Sequence, residues 1–284
     1  MAMDRTGRWP VLLARDVAFG YRATEVLRGV SLDVPADGFV GILGPNGSGK
    51  TTLLRALAGT IRPSRGSVTL DGVDVTRIPR QRIARRMAVV PQETRLAFDF
   101  SALEVVLMGR YPHLGRFEVE GPADLASARE ALAATGTADL AERQFTTLSG
   151  GEKQRVIIAS ALAQLGTPVP GSDADSRFLL LDEPTAALDL AYQLEIASLL
   201  HELRRRTRLA IVVSTHDLNF AAAGCEALLL LKQGKVLAAG PTAEVLTPDR
   251  IRQLYGVRAD VTRHPGAGHL VVVPIARDQD GARR

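Results

Sequence analysis

Phe39-Val-Gly-Ile-Leu-Gly44-Pro-Asn-Gly-Ser-Gly-Lys50-Thr-Thr-Leu-Leu-Arg-Ala-Leu-Ala58 is the stretch that decides the fold. Its first five residues, Phe39 to Leu43, are apolar and read as a buried strand. Thr51 to Ala58, stopped by Gly59, reads as a helix. Between them runs Gly44-Pro45-Asn46-Gly47-Ser48-Gly49-Lys50-Thr51, with Thr52 following, a glycine-rich turn placed where a phosphate loop must lie. Glycines let backbone amides close around β and γ phosphates, and the helix N-terminus adds a favourable dipole. Lys50 neutralises charge and Thr51 offers a hydroxyl to Mg²⁺. A glycine-rich turn with a chance lysine is the bland alternative, and the flanking strand and helix weigh against it.

Outward from this loop the pattern stays α/β. Val11 to Asp33 is β-rich, and Gly66 to Val75 reads as a short β segment turning at Asp71 and Gly72. From Ser101 to about Leu165 the sequence turns helical, with helices expected at Ala102 to Met108, Pro122 to Ala134 and Gly151 to Ala163. This reads as a helical lobe inserted into the α/β core. Gly166 to Arg177 breaks the pattern and reads as a loop. A buried strand at Phe178 to Leu181, a helix at Leu190 to Arg206, a strand at Leu209 to Val213 and a helix after His216 follow, an order that implies a parallel sheet. Beyond these, Ala227 to Pro274 alternates short strands with a helix near Pro248 to Tyr255 and runs into a polar tail.

Two further segments carry chemistry. Phe178-Leu-Leu-Leu-Asp182-Glu183 is an apolar strand ending in adjacent acids, and unpaired charge is costly to bury. At the C-terminal edge of a parallel sheet the pair has a use: Asp182 can hold Mg²⁺ through water while Glu183 polarises the attacking water. The phosphate loop and acid pair would equally suit a kinase or a GTPase. Leu148-Ser149-Gly150-Gly151-Glu152-Lys-Gln-Arg155 decides between them, because it joins a small polar turn to a helix and makes a second anion-binding helix end from Ser149 and the amides of Gly150 and Gly151. One nucleotide in the first loop needs only one such end.

With these motifs in this order the chain resembles the ATP-binding cassette family over nearly its whole length, from about Val11 to Pro274. The resemblance implies an α/β P-loop NTPase (RecA-like) core with an N-terminal antiparallel β subdomain and an inserted α-helical subdomain at about 98–165. Residues 11–265 would form the ATP-binding domain, and 266–284 a C-terminal β segment and polar tail. It implies a homodimer in which Leu148 to Glu152 of one subunit close over ATP held by its partner. By the same resemblance Tyr21 stacks on adenine, Gln92 reaches Mg²⁺ and the attacking water, and His216 hydrogen-bonds the γ-phosphate. Asp189, in Ala187-Leu-Asp189, runs between the two sites. Glu183, His216 and Gln92 are thus the expected catalytic residues, with Thr51, Gln92 and Asp182 at the metal and ATP and Mg²⁺ as cofactors.

Phe98 to Gly115 is similar to the ATPases of bacterial importers for iron-siderophore, heme and cobalamin. The implied partners are integral membrane permease subunits near Gly109 to His113, and indirectly a periplasmic or lipoprotein substrate-binding protein. An insertion like Gly166 to Arg177 resembles one in some heme-import ATPases, yet loops tolerate insertions cheaply, so heme against siderophore stays open. An exporter ATPase, or a cassette of a soluble system, is the alternative class. Composition agrees with a folded subunit: hydrophobic residues make up 46% and charged residues 23%, and the formal charge of +4 lies in scattered arginines with no nucleic-acid stripe. The single cysteine, Cys225, suits a reducing compartment. The longest apolar runs fall far short of the ~20 residues that span a bilayer, and Met1 to Trp9 precede no signal-peptide core. The expected location is peripheral, on the cytoplasmic side of the inner membrane. The segment from Arg258 onward could pack as a small β appendage or lie at the dimer interface.

Overall fold

The computed structural model describes residues 10–22, 24–94, 98–166, 176–186, 188–207 and 209–278. The chain forms two compact units. The first comprises residues 1–76 and 212–284, the second 77–211.

The first unit begins with two long strands, β1 (Pro10–Tyr21) and β2 (Thr24–Pro35), paired antiparallel. In β2 Val30, Leu32 and Val34 are buried while Ser31 and Asp33 between them are exposed, the alternation of a sheet with one wet face. Next come β3 (Phe39–Leu43), buried along its whole length, and α1 (Lys50–Leu57). The hairpin of β4 (Arg65–Leu70) and β5 (Val73–Asp74) completes an antiparallel sheet of order β2-β1-β4-β5. Asp71 and Gly72, the expected turn, both take positive φ there.

The second unit runs through α2 (Arg80–Ala84), β6 (Met87–Val90), α3 (Ala102–Met108), α4 (Pro122–Ala134), α5 (Gly150–Leu165), β7 (Phe178–Asp182), α6 (Leu190–Thr207) and the start of β8 (Ala210–Thr215). β6 and β7 pair in parallel. The helices α3, α4 and α5 close around Val106, Leu132, Phe145 and Val156, all buried, so this lobe has its own core. Ser160 Oγ donates to the Val105 carbonyl at 3.0 Å. A Cβ on Gly109 would stand 2.2 Å from the Ser160 carbonyl oxygen, so the end of α3 lies against the backbone of α5. At the start of α4 the Gly121 N–H and the Arg110 guanidinium hold the Asp124 carboxyl below its ordinary range. Arg110 and Asp124 pair at 2.9 Å with both side chains largely buried.

The chain then returns to the first unit with α7 (Leu218–Gly224), β9 (Ala227–Lys232), β10 (Lys235–Pro241), α8 (Thr242–Val245), α9 (Pro248–Tyr255), β11 (Val257–Arg263) and β12 (Leu270–Arg277). β9 pairs in parallel with β3 and antiparallel with β10. β11 and β12 pair with each other from Val257↔Arg277 to Arg263↔Leu270. Positions 265 and 266, where the main domain was expected to give way to a C-terminal segment, lie in the turn between these two strands. Cys225 is a buried free thiol whose ionisation burial pushes up, so it is an inert packing group. Of the expected loop Gly166 to Arg177, residues 167–175 lie outside the described residues, as do Met1 to Trp9 and the tail from 279. Among the described residues no helix is long and apolar enough to cross a membrane.

Candidate functional site

The residues singled out from the sequence divide between the two units. In the first, the strand-to-helix turn holds the loop from Gly44 in a shape that needs its glycines. Gly47 and Gly49 take φ of 74° and 107°, a region that side chains other than glycine adopt at a cost. A Cβ on Gly44 would stand 2.3 Å from the Leu231 carbonyl oxygen and 2.7 Å from Ser48 Oγ. The Gly234 N–H donates to the Ser48 carbonyl at 3.0 Å. The turn between β9 and β10 therefore braces the loop from behind.

Inside this cradle Lys50 is 5% exposed. Its ammonium donates to the carbonyls of Gly44 at 2.8 Å and Pro45 at 3.2 Å. The Ser48 hydroxyl is buried with no hydrogen-bond partner among the described residues. No side chain caps α1, and its first turn holds no acid. A helix start leaves N–H groups without intrahelical partners. N–H groups without intrahelical partners, a buried hydroxyl and a cation resting on carbonyls form a donor set that fits a polyphosphate. Thr51 and Thr52 follow in the first turn of the helix.

Tyr21 ends β1 and is 45% exposed, its ring set edge-on to Phe19 with centroids 5.0 Å apart. Arg55 of α1 reaches its hydroxyl at 3.4 Å. His216 is exposed and follows β8 directly, and Asp217 after it caps α7.

In the second unit β7 delivers the acid pair. Phe178 to Leu181 are fully buried, and Asp182 and Glu183 are only 7% and 8% exposed. Glu183 takes φ of 48°, a left-handed conformation that non-glycine residues seldom adopt outside sites that use it. The Glu183 carbonyl accepts from the Ala186 N–H at 3.0 Å, closing the turn after the strand. Gln92 lies just beyond β6 and is exposed.

At the start of α5, Leu148 is buried while Ser149 and Gly150 are exposed. Ser149 and Glu152 form a reciprocal cap: the Glu152 N–H donates to Ser149 Oγ at 3.3 Å, and the Ser149 N–H to Glu152 Oε2 at 2.7 Å. That backbone donor holds the Glu152 carboxyl below its ordinary range. The helix end read as an anion site is thus capped by the chain's own side chains, unlike the start of α1. The Ser-x-x-Glu spacing already signals such a cap in the sequence. Gly151 has a second reason to be glycine, since a Cβ there would stand 2.1 Å from Tyr192 Cδ1. Tyr192 belongs to α6, whose start is capped by Asp189 through the Tyr192 N–H at 3.1 Å. Leu190 and Leu194, one turn apart on α6 beside Asp189, are 71% and 62% exposed. Ala187 lies outside the described residues. The sequence reading passed over Tyr192, Leu190 and Leu194; an i, i+4 apolar pair at a helix start was the available signal.

The ABC transporter family profile matches residues 27–186. The chain is 46% identical over 250 residues to the hemin import ATP-binding protein HmuV of Gloeobacter violaceus, covering 88% of this chain and 89% of that one. It is 43% identical over 267 residues to HmuV of Myxococcus xanthus, covering 90% and 96%. It is also 41% identical over 252 residues to the cobalamin import ATP-binding protein BtuD of Halobacterium salinarum, covering 89% of this chain and 60% of that longer one. Among solved structures, a metal-chelate type ABC transporter in an inward-facing conformation superposes with a TM-score of 0.79 at 30% identity, over 94% of this chain and 97% of that one.

Proposed function

The chain belongs to the ABC transporter family as an ATP-hydrolysing import subunit, and from that premise we propose that it drives uptake of a metal tetrapyrrole, with heme as the cargo. The relatives named for hemin import support heme over a siderophore. The observation that carries the catalytic reading is the cradle around Lys50, where an idle buried hydroxyl and a carbonyl-bound ammonium await phosphate oxygens.

The proposed mechanism follows from charge placed where charge develops. Lys50 turns from the carbonyls of Gly44 and Pro45 to the β and γ phosphates. Ser48 and the first N–H groups of α1 close on the same oxygens, and Tyr21 lays its exposed ring on adenine. Glu183 orients a water for in-line attack on the γ-phosphorus and takes up its proton as the bond to ADP breaks. His216 hydrogen-bonds the γ-phosphate oxygens as they leave. Thr51, Gln92 and Asp182 are the residues that would hold Mg²⁺, which would supply neutralisation of phosphate charge.

The second nucleotide contact comes from a second copy. Ser149 and Gly150 are exposed, and Leu190 and Leu194 beside Asp189 offer an apolar patch, the pattern of a surface awaiting a partner. A homodimer with two ATP molecules between its subunits closes when ATP binds and opens after hydrolysis. Permease subunits in the membrane sense that change, and a separate binding protein delivers the cargo. The subunit works at the cytoplasmic face of the membrane.

Glu183→Gln tests the reading. The variant should keep ATP binding, lose turnover by at least about 10²-fold, and elute as a dimer in Mg-ATP while the parent does not. Parent-like turnover in the variant would refute the role of Glu183.

A further inference from the structure

The C-terminal hairpin has no part in the mechanism above, yet its hydrogen bonds lead back to His216. Asp217, next to His216, accepts from the N–H groups of Asn219 at 2.8 Å and Phe220 at 3.0 Å, and its own N–H donates to Thr215 Oγ1 at 3.0 Å. Residues 215–220 are therefore one hydrogen-bonded piece: a shift of α7 carries His216 with it.

Asn219 ties this piece to β12. Its Nδ2 donates to the Val272 carbonyl at 3.2 Å, and its Oδ1 accepts from the Val272 N–H at 2.8 Å. A side-chain amide that both donates to and accepts from one residue imitates the next strand of a sheet, here along the edge of β12 that β11 leaves open. Val272 itself is 2% exposed. A second attachment reaches His216 directly, where the Tyr255 hydroxyl at the end of α9 donates to the His216 carbonyl at 3.4 Å. The hairpin is in turn fixed to α9. Arg252 pairs with Asp278 through both carboxylate oxygens, and the Asp278 N–H donates to the Gly256 carbonyl at 2.8 Å.

From this geometry we infer that Asn219 is a positioning residue for the ATPase reaction, holding the His216 loop at its working place by clamping α7 to the C-terminal hairpin. Both ends of its amide are engaged by Val272, so its effect passes through His216 and not through contact with nucleotide. The inference rests on the reading that His216 contacts the γ-phosphate.

The test uses the full chain and ATP turnover in two backgrounds. In the parent, Asn219→Ala should lower kcat about tenfold and leave KM for ATP within about twofold, since a misplaced γ-phosphate contact acts in the transition state. In a His216→Ala background the same substitution should cost nothing more, because two residues acting through one contact are not additive. Equal losses in both backgrounds would mark Asn219 as a merely structural group and overturn the inference. Hydrogen exchange across residues 215–220 gives a reading independent of turnover: it should quicken in Asn219→Ala, and unchanged exchange overturns the clamp whatever the kinetics. Turnover unaffected by His216→Ala alone, with exchange quickened in Asn219→Ala, would instead locate the error in the role of His216 and so overturn the inference by its premise. Should Asn219→Ala fold poorly, Asn219→Asp keeps the acceptor for the Val272 N–H and loses the donor, and is read in the same way.

Discussion

Gly151→Ala is a single methyl group with a predictable cost. The new Cβ would meet Tyr192 Cδ1 at 2.1 Å, Cγ at 2.5 Å and Cε1 at 2.7 Å, all well inside ordinary contact distance. The obstacle is an aromatic ring held on α6, so the ring must swing out or the two helix starts must part. Forcing extra volume into a packed contact costs about 1–3 kcal/mol, which for a chain of this size lowers the thermal midpoint by about 2–10 °C. Thermal unfolding followed by circular dichroism measures it. The cause is isolated by Tyr192→Ala: once the ring is gone the methyl group has room, and Gly151→Ala should then be close to neutral. The double variant would lose much less than the two single losses added together. Full additivity, or no shift in Gly151→Ala alone, would refute the argument that Gly151 is glycine because of Tyr192. Turnover follows, since a displaced Tyr192 disturbs both Ser149 on one side and Asp189 on the other.

Gly44→Ala should abolish nucleotide binding with the fold kept, because its Cβ would meet a backbone oxygen of Leu231 that cannot swing aside; equilibrium binding of a fluorescent ATP analogue checks it, and parent-like affinity would refute it. A pH effect is expected at His113, whose ring nitrogen Nε2 meets the Gln164 carbonyl at 2.7 Å. Burial pushes its imidazolium below the ordinary value of 6.5, with nearby Arg110 and Arg85 adding to the push against the Gln164 carbonyl and Asp124. The unfolded chain then takes up the proton first, so stability is fully present above 6.5 and falls as the pH drops below it toward the folded value. Urea midpoints at pH 7.5 and 5 should fall more in the parent than in His113→Gln, and equal falls would show that this residue does not carry the effect.

What was legible in the sequence follows from the kind of force involved. The helices at Ala102–Met108, Pro122–Ala134 and Pro248–Tyr255 match their expected ranges because each has a local start signal, Ser101 with Glu104, Pro122 and Pro248. The strand Phe178–Leu181 was readable from burial alone and proved one residue longer. The turn from Phe39–Leu43 into the helix at Lys50 was readable because its glycines are asked for by the backbone, with Gly47 and Gly49 at positive φ. The clamp of Asn219 on Val272 left no trace, because an amide bonded to a distant backbone demands nothing of the residue it meets. The pairing of β11 with β12 across positions 265 and 266 was hidden in a stretch read only as alternating short strands. The left-handed backbone of Glu183 was equally hidden, since nothing in Asp-Glu-Pro asks for it.

The two helix ends differ in a way that matters for a machine that must open as well as close. At the start of α1 no side chain caps the helix, and the buried Ser48 hydroxyl is without a partner among the described residues. Buried donors without partners are destabilising by about 1–3 kcal/mol each, so a triphosphate there relieves a standing penalty and binds firmly. At the start of α5 the cap between Ser149 and Glu152 already occupies the N–H groups of those two residues and leaves the N–H groups of Gly150 and Gly151 outside it. A partner's γ-phosphate arriving at that end gains the N–H groups of Gly150 and Gly151 and the Ser149 hydroxyl, fewer groups than the cradle of Lys50, Ser48 and the α1 start offers. On the proposed mechanism, ATP is therefore held chiefly by one subunit and only lightly by the other. Loss of the γ-phosphate charge then suffices to part the subunits while ADP stays with α1. Ser149→Ala should accordingly weaken dimer formation and turnover far more than ATP binding by the separate chain.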